Sequence, residues 1–254
     1  MKKIFFILIT LNFIFTKSVL AKIDNSELER SMAFAATQVN AGRMDYRQAC
    51  ESLPIKPEIK FYTSYGKLQY NTNYSRENLT VLSKNMNLSE EGDLASGLAL
   101  VDINYEFELG TKGRTMANKG FCIMPDTVSI YIGFKNPVIY LANDLKPDSC
   151  LYHLVVRHEQ THQQINVNAL EYFIPLIYDR IKLMAKQMKP LYVNSEDKFK
   201  TGTDEMTAFY AQQINALVEE FKDEILEEQR KLDNRSNYTY ESTICHLYNT
   251  KHKK

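Results

Sequence analysis

The residues best suited to chemistry in this chain are two histidines and a glutamate in segment 158–162, which reads HEQTH. On a helix, His158 and His162 lie on one face, one turn apart. That spacing suits two ligands of a single metal ion, with zinc as the first choice. Glu159 then lies beside the metal, where its carboxylate can take a proton from metal-activated water. The segment therefore predicts a zinc site with Glu159 as the general base.

The alternative is a purely structural role, in which the two histidines lie in the core without a metal. Burying two unpaired imidazoles costs several kcal/mol, and a shared metal offsets that cost. Both rings fall at the centre of an apolar stripe at helical spacing, which favours the metal site. The stripe consists of Leu151, Leu154, Val155, Ile165 and Ala169.

Hydrophobic periodicity changes along the chain from alternating to helical. A first helix is expected within residues 26–49, and alternation predicts strands between residues 58 and 142. After Pro147 the period is helical, and Pro175 should end or kink the first helix of this part. The sequence predicts an α+β fold, with a small, mostly antiparallel sheet followed by the active-site helix and further C-terminal helices. Those later helices are expected at residues 176–188 and 204–232, with a polar tail after residue 234.

Strands followed directly by a helix that carries HEQTH resemble the order of elements in the zincin metallopeptidases. Exported bacterial proteins predicted to be zinc-dependent proteases carry a similar segment. The resemblance covers residues 128–212 and implies a zincin-like fold, peptide-bond hydrolysis and an edge strand that pairs with an extended substrate. Residues 138–141 would be that edge strand, or else an ordinary core strand. Gln164 departs from the family, which usually has an apolar residue there.

A catalytic zinc needs a third protein ligand and an open position for water. Position 168, where one zincin branch has a third histidine, is Asn168. Resemblance to the branch with a ligand on a downstream helix implies Glu205. Asp204 is the alternative because it lies nearer that helix's apolar stripe, whereas Glu171 is about 180° round the helix from His162 at 100° per residue. Both acids could instead stabilise a helix N-terminus.

The N-terminus has the composition of a secretory signal peptide. Lys2 and Lys3 precede an apolar run, and Ala21 is a small residue suited to cleavage. The run from residue 4 to 15 has 12 residues, fewer than the ~20 that span a bilayer. We expect residues 1–21 to be removed, with no membrane span afterwards. Residues 22–254 then fit a single zincin-like domain, β-rich to about residue 146 and helical after it.

Net charge and cysteine content limit the partners and the cellular compartment that can be proposed for the protein. Loss of three lysines with residues 1–21 leaves 28 basic against 31 acidic residues, which gives no reason to propose nucleic acid or an anionic membrane as partner. An even number of cysteines in an exported chain predicts two disulfides, in the periplasm or outside the cell. The sequence leaves three pairings open among Cys50, Cys122, Cys150 and Cys245.

These observations predict an exported zinc-dependent peptidase acting on a peptide or protein substrate, including proteins of the cell envelope. His158, His162 and Glu205 would hold Zn²⁺, and Glu159 would be catalytic. The alternative is a non-catalytic binding protein of the cell envelope that keeps a structural or vestigial metal site. The open choice of third ligand and the polar pair Gln163 and Gln164 favour that alternative.

Overall fold

The computed structural model describes residues 25–86, 88 and 94–251, so the predicted signal peptide at residues 1–21 lies outside the described part. Within that part the chain order begins with short helices and strands and ends with three helices. The helices are α1 (Asn25–Asn40), α2 (Tyr46–Glu51), α3 (Arg76–Asn85), α4 (Cys150–Gln187), α5 (Phe199–Leu232) and α6 (Arg235–Lys251), with a 3₁₀ turn at Glu196–Lys198. The strands are β1 (Glu58–Ser64), β2 (Gln69–Asn71), β3 (Gly97–Thr115), β4 (Phe121–Leu141) and β5 (Leu191–Val193).

The sheet is organised around β4. Strand β3 pairs antiparallel with β4 along most of its length. The other side of β4 pairs in succession with β5, which is antiparallel, and with β1 and β2, which are parallel. The α+β class is therefore confirmed, but the sheet is mixed rather than mostly antiparallel. Strands β1 and β2 run parallel to β4 because the chain reverses twice between β2 and β4, once through α3 into β3 and once between β3 and β4.

Of the two alternatives for residues 138–141, the core strand is confirmed and the edge strand is wrong. These residues are the end of β4, where Val138 to Tyr140 pair with β2 on one side and with β3 on the other. Asn136 and Pro137 lie at a shift of the β3–β4 register, and Asn136 adopts a positive φ of 49°. The unpaired side of β3 is instead the sheet edge beside α4.

Helices α4 and α5 cover one face of the sheet. Alternate β4 side chains from Val128 to Phe134 contact buried residues of both helices, including Ile177 of α4 and Phe221 of α5. The expected break at Pro175 is absent, and the separate helix predicted at residues 176–188 is the continuation of α4. A proline inside a helix costs about 3 kcal/mol, which the buried side chains on either side of Pro175 offset.

Two disulfides complete the framework, and both predicted cross-links are thus present. Cys50 of α2 joins Cys122 of β4, and Cys150 at the start of α4 joins Cys245 of α6. The segment expected to be a polar tail is helix α6, which this second bond fastens to α4. In the described part of the chain, no helix is both long and apolar enough to cross a membrane.

Candidate metal centre

His158 and His162 lie in the first half of α4, where their rings contact the C-terminal end of α5. Ser149 caps the helix by accepting a hydrogen bond from the Tyr152 amide, and burial of α4 residues further on fixes the axis. Both imidazoles are buried, with 6% and 8% of their surface exposed. Their Nε2 atoms are 3.1 Å apart, as expected for residues one helical turn apart.

The acidic group beside the two rings is Asp233, the residue that ends α5. Its Oδ1 lies 3.0 Å from Nε2 of His158 and 3.0 Å from Nε2 of His162. A tetrahedral zinc bound at about 2.0–2.1 Å spaces its ligand atoms about 3.3 Å apart. The three donor atoms thus have nearly the spacing and chemical types of a zinc site. Among the residues that the structure describes, no other group of three His, Cys, Asp or Glu side chains comes as close together.

The structure does not bring Glu205 to the histidines. Glu205 and Asp204 lie in the first two turns of α5, and Asp233 lies at its other end, about 40 Å away at 1.5 Å per residue. Glu205 is exposed, and Asp204 pairs with Lys200. Glu171 accepts a hydrogen bond from the Tyr65 hydroxyl. Of the sequence-predicted ligands, only His158 and His162 come together, and the acid beside them is Asp233.

The outer nitrogen of each ring also has a polar neighbour. Nδ1 of His162 is hydrogen-bonded to Oε1 of Gln229, one turn before Asp233 on α5. Nδ1 of His158 lies 3.3 Å from Oε2 of Glu241 on α6, without the geometry of a hydrogen bond. Metal-binding histidines usually donate their second N–H to such a group, which fixes the ring. The arrangement therefore suits two imidazoles that present Nε2 to a metal.

Helix α6 adds Tyr238 to the same side of the site. The Tyr238 hydroxyl donates to Oδ1 of Asp233 at 2.7 Å, and its ring centre is 5.2 Å from that of His158. The Tyr238 side chain is half exposed, so it stands between the buried rings and solvent. The bond between Cys150 and Cys245 fastens α6 along the start of α4, which keeps Tyr238 and Glu241 against the histidines.

Glu159 occupies a buried position on the side of α4 that faces the β3 edge. Burial raises the pKa of Glu159 to about 7, although His162, His158 and the Ala99 backbone amide each act to lower it. Gly97 at the start of β3 makes room for this carboxyl, because a Cβ there would lie 2.5 Å from Oε1 of Glu159. The carboxyl is thus held close to its protonation midpoint at neutral pH.

The three donor residues are electrostatically coupled. Burial acts to raise the pKa of Asp233, but hydrogen bonds from the protonated rings of His158 and His162 and from the Tyr238 hydroxyl lower it well below its usual range. Burial acts to lower the pKa of both histidines, but the Asp233 carboxylate outweighs it and raises them. The Asp233 carboxylate is therefore ionised, and the pocket favours positive charge.

The sequence analysis did not identify four residues of the site: Asp233, Gln229, Tyr238 and Glu241. Asp233 follows the last apolar turn of a long helix, where acids are common, and nothing in its spacing links it to residue 158 or 162. The other three lie in segments whose composition reads as a polar helix end and a polar tail. The one sequence feature that could have pointed to them is Cys245. A cysteine in an exported chain predicts a disulfide, and that bond would hold the C-terminal segment against the rest of the domain.

Replacing Asp233 separates this site from the one that the sequence suggested. We expect Asp233→Ala to abolish stoichiometric zinc binding, because it removes the shared carboxylate, and Glu205→Ala to leave zinc binding unchanged. Metal content of the purified variants after dialysis, and zinc affinity by competition with a chromophoric chelator, measure the difference. Loss of zinc from the Glu205 variant with retention in the Asp233 variant would contradict the geometry.

The two disulfides supply a matched pair of variants for the role of α6. Cys50→Ala/Cys122→Ala and Cys150→Ala/Cys245→Ala should each lower the free energy of unfolding by about 2–4 kcal/mol. Only the second pair should also weaken zinc binding, because it releases the helix that carries Tyr238 and Glu241. Urea unfolding and chelator competition measure the two effects, and equal zinc affinity in both double variants would exclude a role for the fastened helix.

Comparison of this chain with protein-family models, with curated proteins and with solved structures finds no match. The functional assignment therefore depends on the residues of the site. Those residues are two imidazoles, one carboxylate, and a second, buried carboxyl beside a sheet edge.

Proposed function

We propose that this chain is an exported zinc-dependent peptidase whose metal is held by His158, His162 and Asp233. The observation that carries the proposal is the convergence of two Nε2 atoms and one carboxylate oxygen at 3.0–3.1 Å from one another. Two imidazoles and one carboxylate form a ligand set used by catalytic zinc in hydrolases. Three protein ligands leave a fourth position for water or substrate.

Access to that fourth position is available on the side of Asp233. The Asp233 side chain is 36% exposed and Tyr238 is half exposed, whereas both histidines are buried. Solvent and a substrate can therefore approach from the side of α6 and the end of α5. A structural zinc site is usually closed by a fourth protein ligand, and among the described residues no fourth side chain completes the cluster.

Glu159 would be the general base and acid. A bound zinc supplies a Lewis acid that lowers the pKa of a coordinated water toward about 7. The burial that holds the Glu159 pKa near 7 suits a carboxyl that takes one proton and later gives it to a leaving amine. The Tyr238 hydroxyl, whose single proton is donated to Oδ1 of Asp233, would hold that carboxylate in place as a metal ligand.

The substrate class follows from the edge of β3. Strand β3 pairs with β4 on one side, and its start at Gly97 and Ala99 adjoins Glu159 on the other. The backbone at Ala99 and Leu100 is already bonded to Glu159 and Gln163 of α4, so an extended peptide would add to the edge further along β3 through backbone hydrogen bonds. The two disulfides support action in an oxidising compartment, the periplasm or the exterior of the cell.

One observation favours the second candidate, a non-catalytic binding protein with a structural or vestigial metal site. Glu159 is packed against Gly97 and hydrogen-bonded to the Ala99 backbone, so it could serve only to dock α4 on the sheet. Under this alternative Glu159 supports packing, and substitution by glutamine should change no function.

The substitution Glu159→Gln distinguishes the two functions. For the peptidase we expect at least a ~100-fold loss of the hydrolysis rate, with zinc content and melting temperature unchanged because glutamine keeps the shape of the side chain. Cleavage of a broad peptide library, followed by mass spectrometry, identifies a substrate on which the rate is measured. Glu171→Gln, an acid on the same helix bonded to Tyr65, is the matched control and should retain full activity. Undiminished hydrolysis by Glu159→Gln would rule out this mechanism.

A further inference from the structure

A chain of three side-chain amides connects His162 to the backbone of β3. Gln229 lies beside the ring, Asn166 lies one turn further along α4, and Gln163 reaches the Leu100 carbonyl of β3. We call Gln229, Asn166 and Gln163 the amide relay. Asn166 and Gln163 are buried, with 3% and 8% of their surface exposed, so their polar atoms must find partners within the protein.

The direction of the relay is fixed at the β3 end. A backbone carbonyl can only accept a hydrogen bond, so Gln163 must present its nitrogen to the Leu100 oxygen, 3.2 Å away. The oxygen of Gln163 then faces Asn166, which must donate from Nδ2, at 3.3 Å. The oxygen of Asn166 in turn accepts from Nε2 of Gln229 at 2.9 Å.

A second carbonyl fixes the same direction independently. Nε2 of Gln229 also donates to the backbone oxygen of His162 at 3.1 Å. Both ends therefore require Gln229 to turn its nitrogen away from the imidazole and its oxygen toward Nδ1. Flipping any one amide of the relay would set oxygen against oxygen in a buried place, which costs several kcal/mol.

We propose that the amide relay holds neutral His162 in the form with its proton on Nδ1, so that the Nε2 lone pair points at the metal position. Gln229 is then a positioning residue of the metal centre, and Asn166 and Gln163 are positioning residues for Gln229. The benefit to metal binding rests on the proposed function, whereas the position of the ring proton does not.

Asp233 competes for the same proton, since its Oδ1 lies 3.0 Å from Nε2 of His162. Gln229 prevails because its oxygen, buried against Nδ1, would otherwise face a second acceptor. Asp233 Oδ1 already accepts from Tyr238 and its carboxylate is partly exposed to water. With the proton on Nδ1, the Nε2 lone pair and the carboxylate oxygen face each other and repel unless a cation lies between them. The relay thereby prepares the site for a cation.

His158 provides an internal contrast. Its Nδ1 has no hydrogen-bond partner among the described residues, and its nearest acidic atom is Oε2 of Glu241 at 3.3 Å. Within the described part of the chain, no side-chain amide is hydrogen-bonded to that ring. The asymmetry assigns the fixed tautomer to His162 in particular, rather than to any histidine of the site.

The first test locates the ring proton directly. The full mature chain is labelled with ¹⁵N-histidine, freed of metal by a chelator and studied by long-range nitrogen–proton NMR at a pH above the pKa of His162. We expect the His162 proton on Nδ1. His162→Asn, which removes the signal, assigns the resonance, and the exposed His153 and His246 serve as reference rings. A proton on Nε2 of His162 would overturn the proposal.

The second test measures what the relay does for metal binding. Gln229→Leu removes the acceptor and should weaken zinc affinity by about 10- to 100-fold. Gln229→Glu keeps an acceptor for Nδ1–H, and its second oxygen can carry a proton and donate to the Asn166 oxygen as the amide does, so zinc affinity should fall less than in Gln229→Leu. Gln212→Leu, at an exposed position of the same helix, is the control and should bind zinc like the wild type.

The outcomes separate this inference from the proposed function. Equal losses of zinc affinity in Gln229→Leu and Gln229→Glu would contradict a role as acceptor. If the protein binds no zinc but His162 carries its proton on Nδ1, the role of the amide relay is supported and the proposed peptidase function is excluded. If the protein binds zinc tightly but metal-free His162 carries its proton on Nε2, the metal site is supported and the proposed role of the amide relay is excluded.

Discussion

The structure depends on the convergence of three atoms that can all accept a proton or a metal: Nε2 of His158, Nε2 of His162 and Oδ1 of Asp233. At 3.0–3.1 Å their lone pairs repel one another unless a metal ion or a proton lies between them. Much of the surrounding architecture serves to hold them there. Helix α4 supplies both rings one turn apart, and the packing of α5 on α4 brings Asp233, the residue that follows the 34-residue helix α5, to the same level.

The polar groups around this centre divide between two supports of different kinds. His162 is supported from within the core, through buried amides that end on the backbone of β3. His158 is supported from α6, whose position depends on a covalent bond between Cys150 and Cys245. Core packing and an oxidising environment thus contribute separately to one site. The second support would be lost in a reducing compartment, which agrees with an exported protein.

How well the sequence predicted each feature depends on how far apart along the chain the interacting residues lie. The spacing of His158, Glu159 and His162 is local to one helix, so it identified the residues that the structure brings to one place. The α+β class also followed from periodicity, and the two disulfides from an even cysteine count. Pro175 misled because the local cost of a proline is smaller than the burial of the helix around it. Residues 138–141 misled because strand order in a sheet depends on long-range pairing that alternation does not encode.

The acidic partner was the hardest element to predict. Glu205 was inferred from a resemblance that fixes the spacing of a downstream helix, whereas this chain places its carboxylate at the end of α5. Asp233 is 71 residues beyond His162 in the chain, and no periodicity operates over that separation. Only the packing of α5 against α4 determines which of its many acids meets the histidines.

Zinc K-edge X-ray absorption of the purified mature chain reports the atoms bound to the metal without requiring a substrate, and so examines the three proposed ligands themselves. The account predicts one zinc per chain with about two imidazole nitrogens and one or two further oxygen ligands at about 2.0–2.1 Å. Replacement of Asp233 by alanine should remove this spectrum. A chain that retains no zinc, or zinc whose first shell contains sulfur or a single imidazole, would contradict the account.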